Sequence, residues 1–402
     1  MDKNREQRGL ELAATKKLSQ KGPLWIVPSS VNGSYVVDPQ EETCTCPDHE
    51  TRGVKCKHMY AVEFVVSQEI RPDGTKIVSQ AVRVSFRQEW TAYNAAQTNE
   101  KTRFLELLRG LCDGISSPPQ AKGRPRLPLA DVVFSACVKV YSTRSGRRAT
   151  GELRDCQEQG HVAKAPHYNS ISNYLEQPTL TPILKALVEE SAAPLKTMET
   201  TFAVDSSGFS TCTFTRWYDK KYGQLSDERQ WVKAHLMVGT YTHIVTGVEI
   251  TDGYAGDSPQ LPPLVESTAK RFAISEVSAD KAYLTRRCVE AIHAVGATPY
   301  IPFKSNSTGE GPELWRRMFH YFQFRRENFL AHYHQRSNVE TTFSMIKAKF
   351  GASLRSKSRT AQVNEVLCKV LCHNICVLIN SIYELGIAPT FWSESEDAQK
   401  VS

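Results

Sequence analysis

Two aspartates set the strongest constraint on how this chain can fold. Asp205 closes the apolar run of residues 202–204, and Asp280 closes that of residues 274–279. An ionised carboxylate at the tip of a buried strand is costly unless a cation or a hydrogen-bond donor offsets its charge. Neighbouring strand tips can share one cation, so the pair predicts two strands lying together. The Ser-Ser-Gly that follows Asp205 predicts a turn directly after it.

The surrounding pattern suits such a sheet. Residues 234–242 and 244–250 read as two longer strands joined by a tight turn, and residues 264–271 as a helix. The strand at 274–279 is then followed by a helix at 285–295, a strand at TPYIPF and a helix at 331–350. Three β elements followed by alternating α and β predict a mixed α/β sheet flanked by helices. At 402 residues the chain is too long for one core. The Pro- and Gly-rich basic stretch SSPPQAKGRPRLP is its clearest boundary. The division expected is 1–115, 116–199, 200–385 and a tail at 386–402.

The helix at 331–350 supplies a third carboxylate. Tyr333, Arg336, Glu340 and Lys347 are offset by −7, −4, 0 and +7 residues from Glu340. At about 100° per residue they fall within roughly 60° of one helix face. Arg336 and Glu340 also make an i,i+4 ion pair worth only about 0.2–0.5 kcal/mol, which leaves Tyr333 and Lys347 on the same stripe unexplained. Glu340 beside Asp205 and Asp280 would complete a site for two Mg²⁺ or Mn²⁺ ions roughly 3.5–4 Å apart.

The order Tyr-x2-Arg-x3-Glu-x6-Lys resembles the YREK signature of a large group of insertion-sequence DDE transposases, and FAVDSSGF and SADKAY resemble that group's first two acidic motifs. The resemblance runs from about residue 199 to 381. It implies an RNase H-like core with Asp205, Asp280 and Glu340 as the catalytic metal triad. By the same resemblance Tyr333, Arg336 and Lys347 contact DNA near the cut. The function implied is metal-dependent cleavage of element ends and strand transfer into target DNA, by a homo-oligomer that brings two ends together on the nucleoid in the cytoplasm. Sixty residues separate Asp280 from Glu340, so the large β insertion of some relatives is missing there. Two readings from other classes stand beside it: a transposase-derived DNA-binding regulator without catalysis, and a simple RNase H-like nuclease. The intact acid set disfavours the first and the YREK face the second.

Near the N-terminus, CTCPDHETRGVKCKH places Cys44-x-Cys46 nine residues before Cys56-x-His58. Three thiolates and an imidazole suit a closed tetrahedral Zn²⁺ site. Two strands from Leu24 and a helix at about 58–68 bury little core, so metal binding, roughly 10–16 kcal/mol for structural Zn²⁺ in finger peptides, would supply the folding energy. The C-x-C…C-x-H order resembles the SWIM zinc finger. A closed site is structural, so this metal is expected to take no part in catalysis.

Charge and cysteine usage agree with a DNA partner. The net charge is +7, concentrated in residues 71–200 (+5) and 301–402 (+4). Residues 121–148 hold seven basic side chains against one Asp, and residues 347–359 hold five against none. Such blocks suit phosphate contact, although a solvated basic surface explains either one alone. Lys122-Gly123-Arg124-Pro125-Arg126 resembles an AT-hook core, which makes Arg124 and Arg126 candidate DNA contacts; a basic linker is the simpler account. The eleven cysteines, an odd number, argue for thiols and ligands over disulfides. Cys368, Cys372 and Cys376 alternate with apolar residues and read as a buried helix face. HYNSISNYLEQ reads as a packing helix. No run of about 18 apolar residues predicts a membrane span, and the N-terminus lacks a signal-peptide core.

Overall fold

In a computed structural model the chain is described at residues 2–16, 18–21, 24–29, 33–39, 41–66, 69–70, 76–77, 89–117, 119, 125–211, 221 and 231–392. It forms two compact units, Met1–Phe86 and Arg87–Ser402. Arg124, one of the expected DNA contacts, lies outside the described residues.

The first unit begins with α1 (Asp2–Thr15), which the polar N-terminal arm forms. An antiparallel meander follows, made of β1 (Ser19–Lys21), β2 (Leu24–Pro28), β3 (Ser34–Asp38) and β4 (Thr43–Cys44). Two strands were expected here and four form. The short α2 (Pro47–Arg52) starts on a proline, whose missing N–H costs nothing at that position, and stops at Gly53 with φ +61°. That left-handed residue turns the chain back towards Cys56 and α3 (Lys57–Val66). Helices α1 and α3 cross at Gly9, where a Cβ would meet the Tyr60 Cβ at 2.6 Å. The core is small: Leu12, Val27, Val37, Met59, Ala61 and Val62, completed by the three cysteines of the cluster. A two-residue hairpin, β5 (Glu69–Ile70) with β6 (Lys76–Ile77), closes the described part of the unit.

The second unit opens with α4 (Trp90–Cys112), a helix that the sequence grouped with the zinc module. Then come α5 (Leu129–Tyr141), α6 (Gly146–Glu158), α7 (Tyr168–Leu175) and α8 (Leu180–Ala192). The sheet follows. Strand β7 (Thr201–Thr211) is eleven residues long and pairs antiparallel with β8 (Trp231–Gly239), which pairs antiparallel with β9 (Val245–Asp252). After α9 (Leu261–Ala269), β10 (Glu276–Ala279) adds parallel to the other edge of β7. Beyond α10 (Arg286–Ala294), β11 (Thr298–Tyr300) adds parallel to β10. Helices α11 (Glu313–Phe324), α12 (Arg326–Tyr333) and α13 (Ser337–Phe350) lead to β12 (Ser353–Leu354), which pairs with the end of β7. The 27-residue α14 (Arg359–Leu385) ends at Gly386, φ +66°. The order β11-β10-β7-β8-β9, three antiparallel strands followed by two parallel ones on the first, is the RNase H-like mixed sheet expected from the sequence.

Each face of the sheet carries its own core. Phe202, Val204 and Met237 point to the side packed by α9–α12. Ala203, Phe209, Ala234 and Leu236 point to the side packed by α13, α14, α4, α5 and α8. The helical stretch before residue 200 therefore shares a core with the mixed sheet. Residues just after α14 fold back too, with the Trp392 indole donating to the Leu111 carbonyl at 3.0 Å above Gly114. By length and hydropathy α14 could cross a membrane, but 83% of its most apolar window is buried. Cys368, Cys372 and Cys376 are among those buried positions.

Two expectations need correction. Asp205 does not end its strand, because β7 continues through Ser206-Ser207-Gly208 to Thr211. Pairing with β8 extends along the whole strand, and that ladder outweighs the turn propensity of Ser-Ser-Gly. The helix at 331–350 is not continuous either; α12 and α13 are joined by a 3₁₀ turn at His334–Arg336.

Two histidines bury deeply in this unit. His373 donates from Nε2 to the His243 carbonyl, and burial pushes its pKa down to about 4. His235, between Tyr283 and Thr251, is likewise pushed down to about 4 by burial. Both titrate near about 6.5 in an unfolded chain, so unfolding between these values takes up protons. Stability should therefore be full above about pH 6.5 and fall towards pH 4. Urea midpoints at pH 7 and pH 5 check this: the midpoint drops at pH 5, and His373→Gln shrinks the drop. A pH-independent midpoint contradicts it.

Candidate active site and metal centre

Strand pairing explains why Asp205 is accessible in the middle of a sheet. On one edge β7 pairs with β10 only as far as Val204, opposite Ala279, and with β12 only from Ser210, opposite Ser353. Among the described residues, 205–209 between them have no parallel neighbour. Asp280 is the next residue after Ala279, so it stands beside Asp205 one step past the last paired position. Its carboxylate accepts from the Lys281 amide at 2.7 Å and caps a 3₁₀ turn.

Alternation along β7 puts Asp205, Ser207 and Phe209 on the face covered by α13. That helix delivers the third acid and two cations. Arg336 donates through Nη1 to Asp205 Oδ2 at 2.5 Å and through Nη2 to Glu340 Oε1 at 2.6 Å, so one guanidinium joins two of the acids. Lys347 donates to Ser207 Oγ at 2.6 Å and lies over the Phe209 ring. Tyr333 stands next to Arg336, with the guanidinium 5.9 Å from its ring centre. The Asp205 carboxylate also accepts from the Ser206 amide at 2.8 Å.

The electrostatics follow from this crowding. Burial raises the Asp205 pKa; the Ser206 amide and Arg336 oppose the rise, while Asp280 and Glu340 add to it as like charges. Burial raises the Tyr333 hydroxyl and lowers the Lys347 ammonium. For Arg336, burial disfavours the charge, but Asp205 and Glu340 more than offset it and the guanidinium is held charged. Three carboxylates on three elements, all oxygen donors, are the set that hard divalent cations such as Mg²⁺ or Mn²⁺ prefer. Arg336 stands in the place that such charge would take. Asp205 is 19% exposed at its side chain and Glu340 56%, so Glu340 is the more solvent-exposed of the two acids that Arg336 joins.

Sequence reasoning missed the support behind β7. Ser206 points to the opposite face and donates to Asp257 Oδ1 at 3.1 Å. Asp257 also pairs with Lys233 at 2.5 Å and lies 3.5 Å from His235 Nδ1. Nothing in the loop sequence DGYAGDSP marks Asp257 as the partner of a strand 51 residues earlier. His332, beside Tyr333, turns from the acids and bonds Glu276 at 2.8 Å, stacked on Tyr300. Arg126 is exposed on the basic linker.

The first unit holds a separate metal centre. One ligand atom from each of Cys44, Cys46, Cys56 and His58 lies within 4.8 Å of the others, and all four residues are buried. His58 Nδ1 is 3.9 Å from Cys44 Sγ and 3.8 Å from Cys56 Sγ. These approach the edges of a tetrahedron with Zn–S about 2.3 Å and Zn–N about 2.0 Å. The Cys56 thiol is pulled down to about 3, first by its hydrogen bond with Cys44, while Cys44 is pushed up. Sulfurs this close share charge poorly without a cation, so the residues fit Zn²⁺. Among the described residues this is the one group of three or more ligand atoms gathered tightly enough to enclose an ion.

The mixed sheet thus sets Asp205 beside Asp280, with Glu340 brought to Asp205 through Arg336. Residues 196–375 match the family model for a transposase DDE domain, and residues 35–66 match that for a SWIM zinc finger. The second unit thus carries a transposase DDE domain and the first a SWIM zinc finger.

Metal analysis tests the cluster. The purified chain should bind one Zn²⁺ through these four residues, and Co²⁺ in its place should give thiolate charge-transfer bands. Cys56→Ser should remove both the bands and the thermal transition of the first unit. Unchanged zinc content in that variant contradicts the assignment.

Proposed function

We propose that this chain is the transposase of an insertion sequence, cutting DNA at the element's ends and joining the freed 3′-hydroxyl to target DNA. The observation that carries the reading is Asp205 on an RNase H-like sheet, joined to Glu340 through the Arg336 guanidinium and near enough to Asp280 to feel its charge. Asp205, Asp280 and Glu340 are the residues that would hold Mg²⁺ or Mn²⁺. Bound there, the cations would supply activation of the attacking hydroxyl and stabilisation of the leaving oxygen.

The chain's own residues do the rest. Asp205 is fixed at both oxygens, by the Ser206 amide and Arg336, so its position is set before any ligand arrives. Arg336, set between Asp205 and Glu340, would neutralise the transferring phosphate with a two-pronged contact. Lys347, anchored at Ser207, brings a second positive charge to the same strand. Tyr333 offers a ring beside the acids for a sugar or an unstacked base. Arg124 and Arg126 would follow the DNA backbone from the basic linker, and the zinc unit would hold DNA or a second subunit. Two element ends must meet, so the working form is a homo-oligomer on the nucleoid in the cytoplasm.

The test is cleavage and joining of duplexes that carry the element's ends, with Mg²⁺. Asp205→Asn, Asp280→Asn and Glu340→Gln should each lower both steps on the order of 10³-fold or more, as several kcal/mol of charge stabilisation are lost. Arg336→Ala should cost roughly 10²–10³-fold. DNA binding should persist in all four. Full activity in any acid variant overturns the mechanism, and cutting without joining makes the protein a nuclease.

A further inference from the structure

The two basic blocks of the sequence, 121–148 and 347–359, come together in the second unit. Between the end of α5, the loop after it, β12 and the start of α14 lies a cleft lined by Lys139, Thr143, Arg144, Arg355, Glu365 and Lys369, among others. Its two walls are tied by a hydrogen bond from Arg355 Nη2 to the Thr143 carbonyl at 2.5 Å. Thr143 adopts φ +53°, a strained conformation for a β-branched residue, and that turn aims its carbonyl at Arg355.

The charges in the cleft do not cancel. Arg144 is paired with Glu152 at 3.0 Å. Lys139, Arg355 and Lys369 form no ion pair among the described residues. The one acid present, Glu365, is committed to the backbone, accepting from the Arg355 amide at 3.0 Å and the Ser356 amide at 2.8 Å. Lys369 is the most telling of the set. The residue is 2% exposed, and its ammonium rests on the Gly351 and Ser353 carbonyls at 2.7 and 2.9 Å and over the Phe209 ring, with Glu365 the one carboxylate that offsets its burial. A buried ammonium that makes no ion pair of its own is costly, and a further anion at the cleft mouth would offset that cost.

The enclosed space is only about 20 Å³. That is about one water's worth, enough for a phosphate oxygen and too little for a nucleotide. The ligand must therefore lie across the mouth, as a polymer backbone does. Register gives the distance to the acids: Ser353 pairs with Ser210, five residues along β7 from Asp205. At about 3.3 Å per residue this is roughly 17 Å, the rise of about five base pairs of duplex.

We propose that this cleft is a second DNA-contact site, gripping a backbone phosphate of the duplex whose scissile bond lies at the carboxylates. The proposal rests on the reading of the chain as a DNA-processing enzyme. It assigns Lys139 and Arg355 as the outer contacts and Lys369 as the buried positive floor.

Binding of the full chain to a mixed-sequence duplex, measured against salt, tests it. Lys139→Gln and Arg355→Gln should each reduce the slope of log K against log salt by about 0.9, and weaken binding about eightfold at 0.1 M salt, whatever the sequence. Lys139→Arg and Arg355→Lys should keep the wild-type slope, which separates lost charge from lost folding. Slopes unchanged in both Gln variants overturn the proposal. Displacement of DNA by millimolar inorganic phosphate at matched ionic strength also overturns it, making the cleft a free-anion site. A chain that shows the expected slopes yet never cuts DNA removes the catalytic reading and leaves the cleft standing. A wild-type chain that binds no duplex at any salt removes both.

Discussion

The bond between Arg336 and Asp205 is the interaction on which the site depends. Asp205 lies in the central strand of a sheet with an apolar core on each face, where an unbalanced carboxylate has no place. Arg336 supplies the balance and reaches on to Glu340. The two halves of this bridge differ in weight. The Arg336–Glu340 half is an i,i+4 pair with an exposed acid, worth a few tenths of a kcal/mol. The Arg336–Asp205 half joins two mostly buried side chains 131 residues apart, and removing one partner would strand the other. It fixes α13 against β7 and so sets where Glu340 starts.

Sheet topology provides the opening that makes this charge usable. Had β10 continued past Ala279, or β12 begun before Ser353, the edge of β7 at 205–209 would be covered by another strand. Instead both stop short, and the gap is filled from above by Arg336 and Lys347. Behind the same stretch, Ser206 is held by Asp257 and Lys233, so the strand is braced on one face while its chemistry is presented on the other.

Much of this could be read from the sequence because the chemistry-bearing residues are also the ones that break local rules. Acids next to apolar strands, and a cation–acid–cation stripe on one helix face, are conspicuous since neither packing nor propensity accounts for them. The cysteine cluster is legible for the same reason, its spacing serving a metal and nothing else. What escaped was decided by long-range pairing. Ser-Ser-Gly reads as a turn until the whole of β8 is laid beside it. Asp257 and Glu365 look like ordinary loop and helix acids, and become significant only through partners 51 residues away and on a folded-back loop. The two basic blocks were visible as composition, but their meeting across one cleft required α5 and α14 to share a core.

Iron-mediated hydroxyl-radical cleavage tests the convergence of the three acids most directly. Fe²⁺ substituted for Mg²⁺, with ascorbate and peroxide, cuts the polypeptide only close to where the ion sits. The account predicts backbone cuts clustered near residues 205, 280 and 340 together, all abolished by Asp205→Asn. Cuts at one or two of these places alone, or a pattern indifferent to that substitution, would mean that the acids do not share a centre.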